Sequence, residues 1–206
     1  MKRFISIFAA FFLMLGLCAC SQSEFLELGG FIENYNQEQA EQPLNFTDLL
    51  VSSNNGQTEY NCFFPCGESG VTVRLFANEN KKIEQCRIIV PKLNEKGQAL
   101  NLTDEVLSLF AMTVKNTIVA YTFCTAEQAQ SIVDEFMLNR KETYKNQGEL
   151  TKEKGSFYFV YLSNSLVSEF VIYNKWLHEI ESTNKPVSKV AYADTTKVRE
   201  ETVPLQ

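Results

Sequence analysis

Three short segments in the first half of the chain alternate between apolar and polar residues, and they restrict the fold more than any other feature. They cover 59–64, 71–75 and 83–90, with Pro and Gly in the first connection and Asn in the second. A period of two is typical of a strand that buries one face, and connections this short join antiparallel strands. The stretch therefore predicts a three-stranded meander.

Helical patterns lie on both sides of the meander. Apolar residues recur at helical spacing over 24–39 and predict a first helix, although two glycines interrupt it. Downstream, Thr103 is a suitable N-cap, and Thr125 with Gln128 has the spacing of a capping box. We expect a helix to begin at each of these threonines and to turn its apolar stripe toward the core.

Two further strands are predicted at 157–162 and 167–173, after a charged connection at 144–154. Before the meander, 44–51 is expected to form one or two helical turns and 52–56 a loop. This order of elements predicts an α+β fold in which an antiparallel sheet of about five strands is covered on one face by helices. The order is similar to that of secretion-chaperone-like domains.

The start of the chain has the order of a secretory signal peptide. Lys2 and Arg3 precede an uncharged, mainly apolar run of 14 residues, Phe4–Leu17, and small residues follow. At ~1.5 Å per residue this run spans only ~21 Å of a ~30 Å hydrocarbon core, so a permanent transmembrane helix is the weaker interpretation.

The sequence Leu17-Cys18-Ala19-Cys20 resembles the lipobox of bacterial lipoproteins. The usual residue in the place of Cys18 is Ser, Ala or Thr. The resemblance implies cleavage after Ala19 and attachment of diacylglycerol to Cys20, with or without an acyl chain on the new amino group. No other cofactor is expected. Secretion after cleavage at Ser21 and an uncleaved anchor are the alternatives.

The segment 1–21, which we call the leader, therefore predicts a lipid-anchored protein of the cell envelope. Because Ser21 is not acidic, the resemblance favours the outer membrane in a host with two membranes, and the outer face of the cell membrane otherwise. The predicted parts are a signal peptide at 1–19, a tether and first helix at 20–43, an α+β domain at 44–180 and a flexible polar tail at 181–206.

Charge narrows the choice of partners. Loss of two basic residues with the leader lowers 19 basic residues to 17 against 25 acidic ones, and moves the net charge from −6 to −8. An acidic chain lacks the basic surface patch that is typical of a nucleic-acid-binding protein, and anionic lipid headgroups repel it. Lipid must therefore hold the chain to the membrane, and we expect a protein partner in the envelope.

Four cysteines remain beyond the leader: Cys62, Cys66, Cys86 and Cys124. An even number in an exported chain permits two disulfides, with three connectivities. The spacing of Cys62 and Cys66 is not C-x-x-C, and a Gly-rich turn follows instead of a helix, which favours a structural disulfide over a redox dithiol.

Strand spacing narrows the connectivity. The outer strands of a meander lie ~9.6 Å apart, beyond the ~7 Å that a disulfide spans, so Cys62 is not expected to pair with Cys86. A curled chain at Pro65 would allow a Cys62–Cys66 pair. If the strands at 71–75 and 83–90 pair about the 78–81 loop, Cys86 is expected near Val73 on the apolar face. Cys124 is then the candidate disulfide partner of Cys86.

Catalytic and metal-binding patterns are lacking in the sequence. The single histidine, His178, has no nucleophile motif near it, and the carboxylates at Glu179 and Glu181 lack metal-loop spacing. We therefore predict no catalytic residue and no metal ligand, and a non-catalytic binding module on a lipid anchor. The alternatives are a thiol-redox protein using Cys62 and Cys66, and a carrier of small apolar ligands lined by Phe and Tyr residues.

Overall fold

The computed structural model of the chain describes residues 26–38, 43–44, 50–54, 57–94 and 96–175. The helices in these ranges are α1 (Leu28–Glu38), α2 (Asp104–Thr122), α3 (Ala126–Glu135) and α4 (Lys141–Lys145). The strands are β1 (Leu50–Asn54), β2 (Gln57–Cys66), β3 (Ser69–Ala77), β4 (Ile83–Pro91), β5 (Gly148–Lys154), β6 (Phe157–Ser163) and β7 (Val167–Asn174). No helix within these ranges is long and apolar enough to cross a membrane.

All seven strands belong to one antiparallel sheet in the order β1-β2-β3-β4-β7-β6-β5. The predicted meander is present as β2, β3 and β4, and Gly67, with φ of 59°, lies in its first turn. The hairpin of β6 and β7 extends the meander because β7 pairs with β4. The α+β fold with an antiparallel sheet is thus confirmed, although the sheet has seven strands instead of about five.

Alternate residues of the central strands enter a single hydrophobic core. Cys62, Val73, Ile88 and Phe170 lie side by side across four strands, and each is at most 5 % exposed. We call this side of the sheet the core face and the opposite side the second face. The buried apolar residues of α1, α2 and α3 belong to the same cluster as the core face.

Both predicted N-caps are present. The hydroxyl of Thr103 accepts a hydrogen bond from Val106 N at 3.4 Å, at the start of α2. The hydroxyl of Thr125 accepts one from Gln128 N at 3.3 Å, and the Gln128 side chain accepts one from Thr125 N at 2.9 Å. Sequence spacing therefore located the beginning of α2 and α3.

Two predictions for polar segments are wrong. β1 occupies 50–54, where helical turns and a loop are predicted, and α4 with β5 replaces most of the charged connection at 144–154. Both strands form the edges of the sheet. An edge strand needs only one hydrogen-bonded neighbour and exposes most of its side chains, so it lacks the apolar alternation on which the prediction depended.

Candidate functional site

Several of the residues singled out in the sequence lie outside the described part of the chain. They are Cys20 with the rest of the leader, His178, Glu179 and Glu181. The terminal helix and the tail predicted after residue 175 lie outside it as well. The lipid-anchor hypothesis therefore depends on the sequence, and the described residues bear on the domain that the anchor would hold.

The two cysteines of β2 are separated along an extended strand. Cys62 is opposite Val73 and Cys66 is opposite Ser69, so β2 stays paired with β3 through Pro65. Four steps of ~3.3 Å set their Cα atoms ~13 Å apart, beyond the ~7 Å limit of a disulfide. No disulfide bond joins the four cysteines of the described ranges. A Cys62–Cys66 bond would require β2 to bend away from β3.

Cys86 is on the core face, as predicted, but it is opposite Leu75 instead of Val73. A bulge at Phe76 and Ala77 shifts the register of this hairpin. Full burial raises the pKa of the Cys86 thiol well above its usual value, which makes the thiol unreactive. Cys124, in the link between α2 and α3, is half-buried against the core.

A polar cluster is buried between α1 and α2. The Tyr35 hydroxyl bonds to the side chains of Thr113 and Asn116, and burial raises the pKa of this tyrosine strongly. Asn116 Nδ2 is buried without a hydrogen-bond partner. Tyr35 also stacks on Phe64, with ring centroids 6.4 Å apart. The cluster joins α1 and α2 to β2, and we assign it a structural role from these packing contacts.

A wide depression of about 700 Å³ runs along α3. It is lined by polar and charged side chains, from Lys115, Ala126, Glu127, Gln130, Ser131, Asp134 and Glu135. Lys154 and Lys152 bond to Glu135 and lower the pKa of that carboxyl. These contacts join α3 to edge strand β5. The depression is lined by a solvated helix surface, and the described residues include no cluster of three or more His, Cys, Asp or Glu side chains that could hold a metal ion.

The second face has two arginines at its centre. Arg74 of β3 lies directly opposite Arg87 of β4, and β4 is the fourth of the seven strands. Asn61 of β2 and Val171 of β7 continue the same row. Directly opposed residues in an antiparallel pair have Cβ atoms ~4.5–5.5 Å apart. The two guanidinium groups therefore project from adjacent positions. We call Arg74 and Arg87 together the arginine row.

Among the described residues, each arginine of the row forms one ion pair, and both ion pairs are long. Arg87 Nη1 lies 3.4 Å from Glu169 Oε1, and Arg74 Nη1 lies 3.6 Å from Glu59 Oε1. Arg87 Nε also donates to Gln85 at 3.0 Å. In contrast, Arg74 Nε is buried with no hydrogen-bond partner. Charge-assisted hydrogen bonds in proteins are ~2.7–2.9 Å long, so both guanidinium groups retain unused donor capacity.

Apolar side chains also lie beside the arginine row. The Arg87 guanidinium lies over the Phe76 ring, 5.1 Å from its centroid. Ile89 is half-buried two residues further along β4, and Val171 is 5 % exposed. At the far end of β2 the exposed ring of Phe63 lies over Gly70. The second face thus combines an apolar floor with a cationic centre.

Comparison with known protein families, with curated proteins and with solved structures found no match to this chain.

Sequence reasoning did not find the arginine row. Positions 74 and 87 are the polar members of two alternating strands, and such positions are usually solvated. Only the strand register places them opposite each other. A register set by the length of the 78–81 loop put Cys86 near Val73, and that error in the same hairpin would have separated the two arginines.

Proposed function

We propose that this chain is a lipid-anchored protein of the cell envelope whose α+β domain is a non-catalytic binding module. The observation that carries the proposal is the leader, in which an uncharged run ends in Leu17-Cys18-Ala19-Cys20. Two acyl chains suffice for stable membrane attachment, since each buried CH₂ contributes about 0.8 kcal/mol. The separation of the cysteines on β2 supports a binding role over dithiol chemistry.

The contacts of the tether support a defined orientation of the domain. Leu28, where α1 begins, follows Cys20 by only eight residues, a reach of about 29 Å at most. Leu28 N donates to Lys81 O at 3.3 Å, and Leu26 O accepts from Ile83 N at 2.9 Å. Leu26 and Leu28 are therefore held at the turn between β3 and β4, and this end of the sheet would lie nearest the membrane.

We further propose that the helices lie together on the core face and leave the second face for a partner in the envelope. The support is the shared core of α1, α2 and α3 with the core-face residues. The second face also holds partly exposed aromatic residues and the arginine row, whose donors are incompletely used. Since the strands run away from the tethered end, this face would stand at an angle to the bilayer and stay accessible.

The anchor is tested by changing its cysteine. Cys20→Ala removes the only predicted lipid attachment site, so we expect the protein to lose incorporated palmitate and to leave the membrane fraction. Cys18→Ala is the matched control, because it changes a neighbouring cysteine of the leader and should leave both properties intact. Fractionation, high-salt washing and metabolic labelling with palmitate measure the outcome. Retention of Cys20→Ala in washed membranes would exclude lipidation as the anchor.

A further inference from the structure

We infer that the arginine row is a binding site for a small organic carboxylate, with Arg74 and Arg87 bonding to the same carboxylate group. The inference deepens the proposed binding role of the second face and rests on it. A phosphate monoester presents similar oxygens, so the ligand chemistry is that of an oxyanion. The carboxylate is favoured because the floor around the row is apolar.

Electrostatic repulsion between the two arginines lowers the stability of the sheet when no anion lies between them. Like charges directly opposite each other in a sheet are destabilising, and Arg74 and Arg87 are directly opposed. The sequence contains only five arginines, two of which occupy this pair of positions. An anion between the two guanidinium groups would convert the repulsion into two attractive interactions.

The guanidinium groups of Arg74 and Arg87 have N–H donors that their protein neighbours do not fully use. Each guanidinium has five N–H donors in a planar fork, and this fork matches the two oxygens of a carboxylate. Glu59 and Glu169 lie at 3.6 Å and 3.4 Å from their arginines, longer than a charge-assisted hydrogen bond. Arg74 Nε is buried and has no hydrogen-bond partner among the described residues. A ligand oxygen at the row would be an acceptor for the remaining N–H groups of the two partly exposed side chains.

Partial burial of the two arginines lowers the local dielectric around their charges. The side chains of Arg74 and Arg87 are only 29 % and 25 % exposed. Partly buried charges are screened less than exposed ones, so an anion here gains more than at a solvated arginine. The Phe76 ring under Arg87 also holds that guanidinium in place.

The surroundings define the rest of the ligand. Ile89 and Phe76 are half-buried beside Arg87 and offer apolar surface to a short hydrocarbon body. Glu59 and Glu169 flank the row on opposite sides and disfavour a second negative charge. The site therefore selects a monocarboxylate with a short apolar body over a di- or tricarboxylate.

The test uses arginine Nε–H signals in NMR spectra of the full-length protein, labelled with ¹⁵N-arginine and purified from whole cells in non-ionic detergent. Hexanoate, inorganic phosphate and neutral hexanamide are the titrants, and exposed Arg140 is the internal reference. We expect saturable shifts of the Arg74 and Arg87 signals with hexanoate, weaker ones with phosphate and none with hexanamide. A stronger response to phosphate would overturn the preference for a carboxylate. Absence of saturable shifts with both anions, or shifts shared equally by Arg140, would overturn the site.

Variants separate binding from folding. Arg87→Gln should weaken hexanoate about ten-fold or more, since hydrogen bonds to charged groups are lost. Glu59→Gln keeps both arginines, removes a competing carboxylate and should tighten hexanoate binding, a result that loss of structure cannot imitate. Lys141→Gln removes a positive charge that pairs with Asp104 away from the row and should leave affinity unchanged. Unchanged affinity in both Arg87→Gln and Glu59→Gln would refute the assignment. Because these measurements do not depend on lipid, their failure is distinguishable from failure of the Cys20 experiment.

Discussion

Two glycines of this fold differ in whether the structure has room for a side chain at their positions. Gly70 lies on β3 beneath the Phe63 ring, and a Cβ at this position would meet Phe64 O and the Phe63 ring at 2.4 Å. Gly29 is an exposed residue of α1, and a Cβ there would meet nothing within 4 Å. Glycine is thus required for close packing in the sheet, whereas in the helix it only costs conformational entropy.

We expect Gly70→Ala to destabilise the protein by about 1–3 kcal/mol, because the backbone carbonyl of Phe64 cannot move aside as a flexible side chain would. Gly29→Ala is the matched control and should stabilise it by about 0.5–1 kcal/mol through helix propensity. Urea unfolding followed by far-UV circular dichroism measures both. Equal effects of the two substitutions would contradict the packing account of Gly70.

At the scale of elements, the strongest local signals in the chain are at the helix starts. The capping box of α3 satisfies two backbone N–H groups with one Thr–Gln pair, and it is visible in the sequence as Thr125 and Gln128. We expect Thr125→Ala to cost about 1 kcal/mol in free energy of unfolding, because Gln128 N loses its acceptor. Thr125→Ser retains a hydroxyl and should remain near the wild type. Chemical denaturation measures these values, and a Thr125→Ser variant as unstable as Thr125→Ala would show that the methyl group matters instead.

Central and edge strands differ in how far the sequence predicts them. β3 and β4 were predictable because buried and half-buried residues alternate along them. β5 is exposed at six of seven positions and rich in Lys and Glu, which protects a sheet edge from pairing with other chains but resembles a charged loop. β1 contains no charged residue and was equally hidden by its Ser and Asn content. Element type is therefore readable where burial creates the pattern.

Helix propensity was a weaker guide than burial. The second half of α2 is rich in β-branched residues, which favour strands, yet the helix continues to Thr122. Val114 and Ile118 are fully buried on its inner side, and Tyr121 donates a hydrogen bond to Ile83 O at 3.0 Å. Tertiary packing of one face thus outweighs the modest intrinsic preference of these residues. The arginine row had no comparable local signal, because its existence depends on the register of two strands.

For the whole molecule, buried tyrosines couple the fold to alkaline pH. Burial raises the pKa of Tyr35, Tyr121 and Tyr144, and the Tyr144 hydroxyl donates to Leu138 O in the core. Above about pH 10 the unfolded chain loses protons from these phenols while the native state retains them, so the free energy of unfolding falls as pH rises.

We therefore expect part of the phenolate absorbance at 295 nm to appear only in the cooperative step in which far-UV circular dichroism is lost. Protein denatured in guanidinium should instead ionise all eight tyrosines together near pH 10. Tyr121→Phe is the informative variant, because it should remove amplitude from the delayed step alone. Complete ionisation of the wild type before any loss of circular dichroism would contradict the burial of these three rings. A delayed step that follows unfolding would show that the core between the helices and the sheet excludes water as one unit, since Tyr35, Tyr121 and Tyr144 come from three different helices.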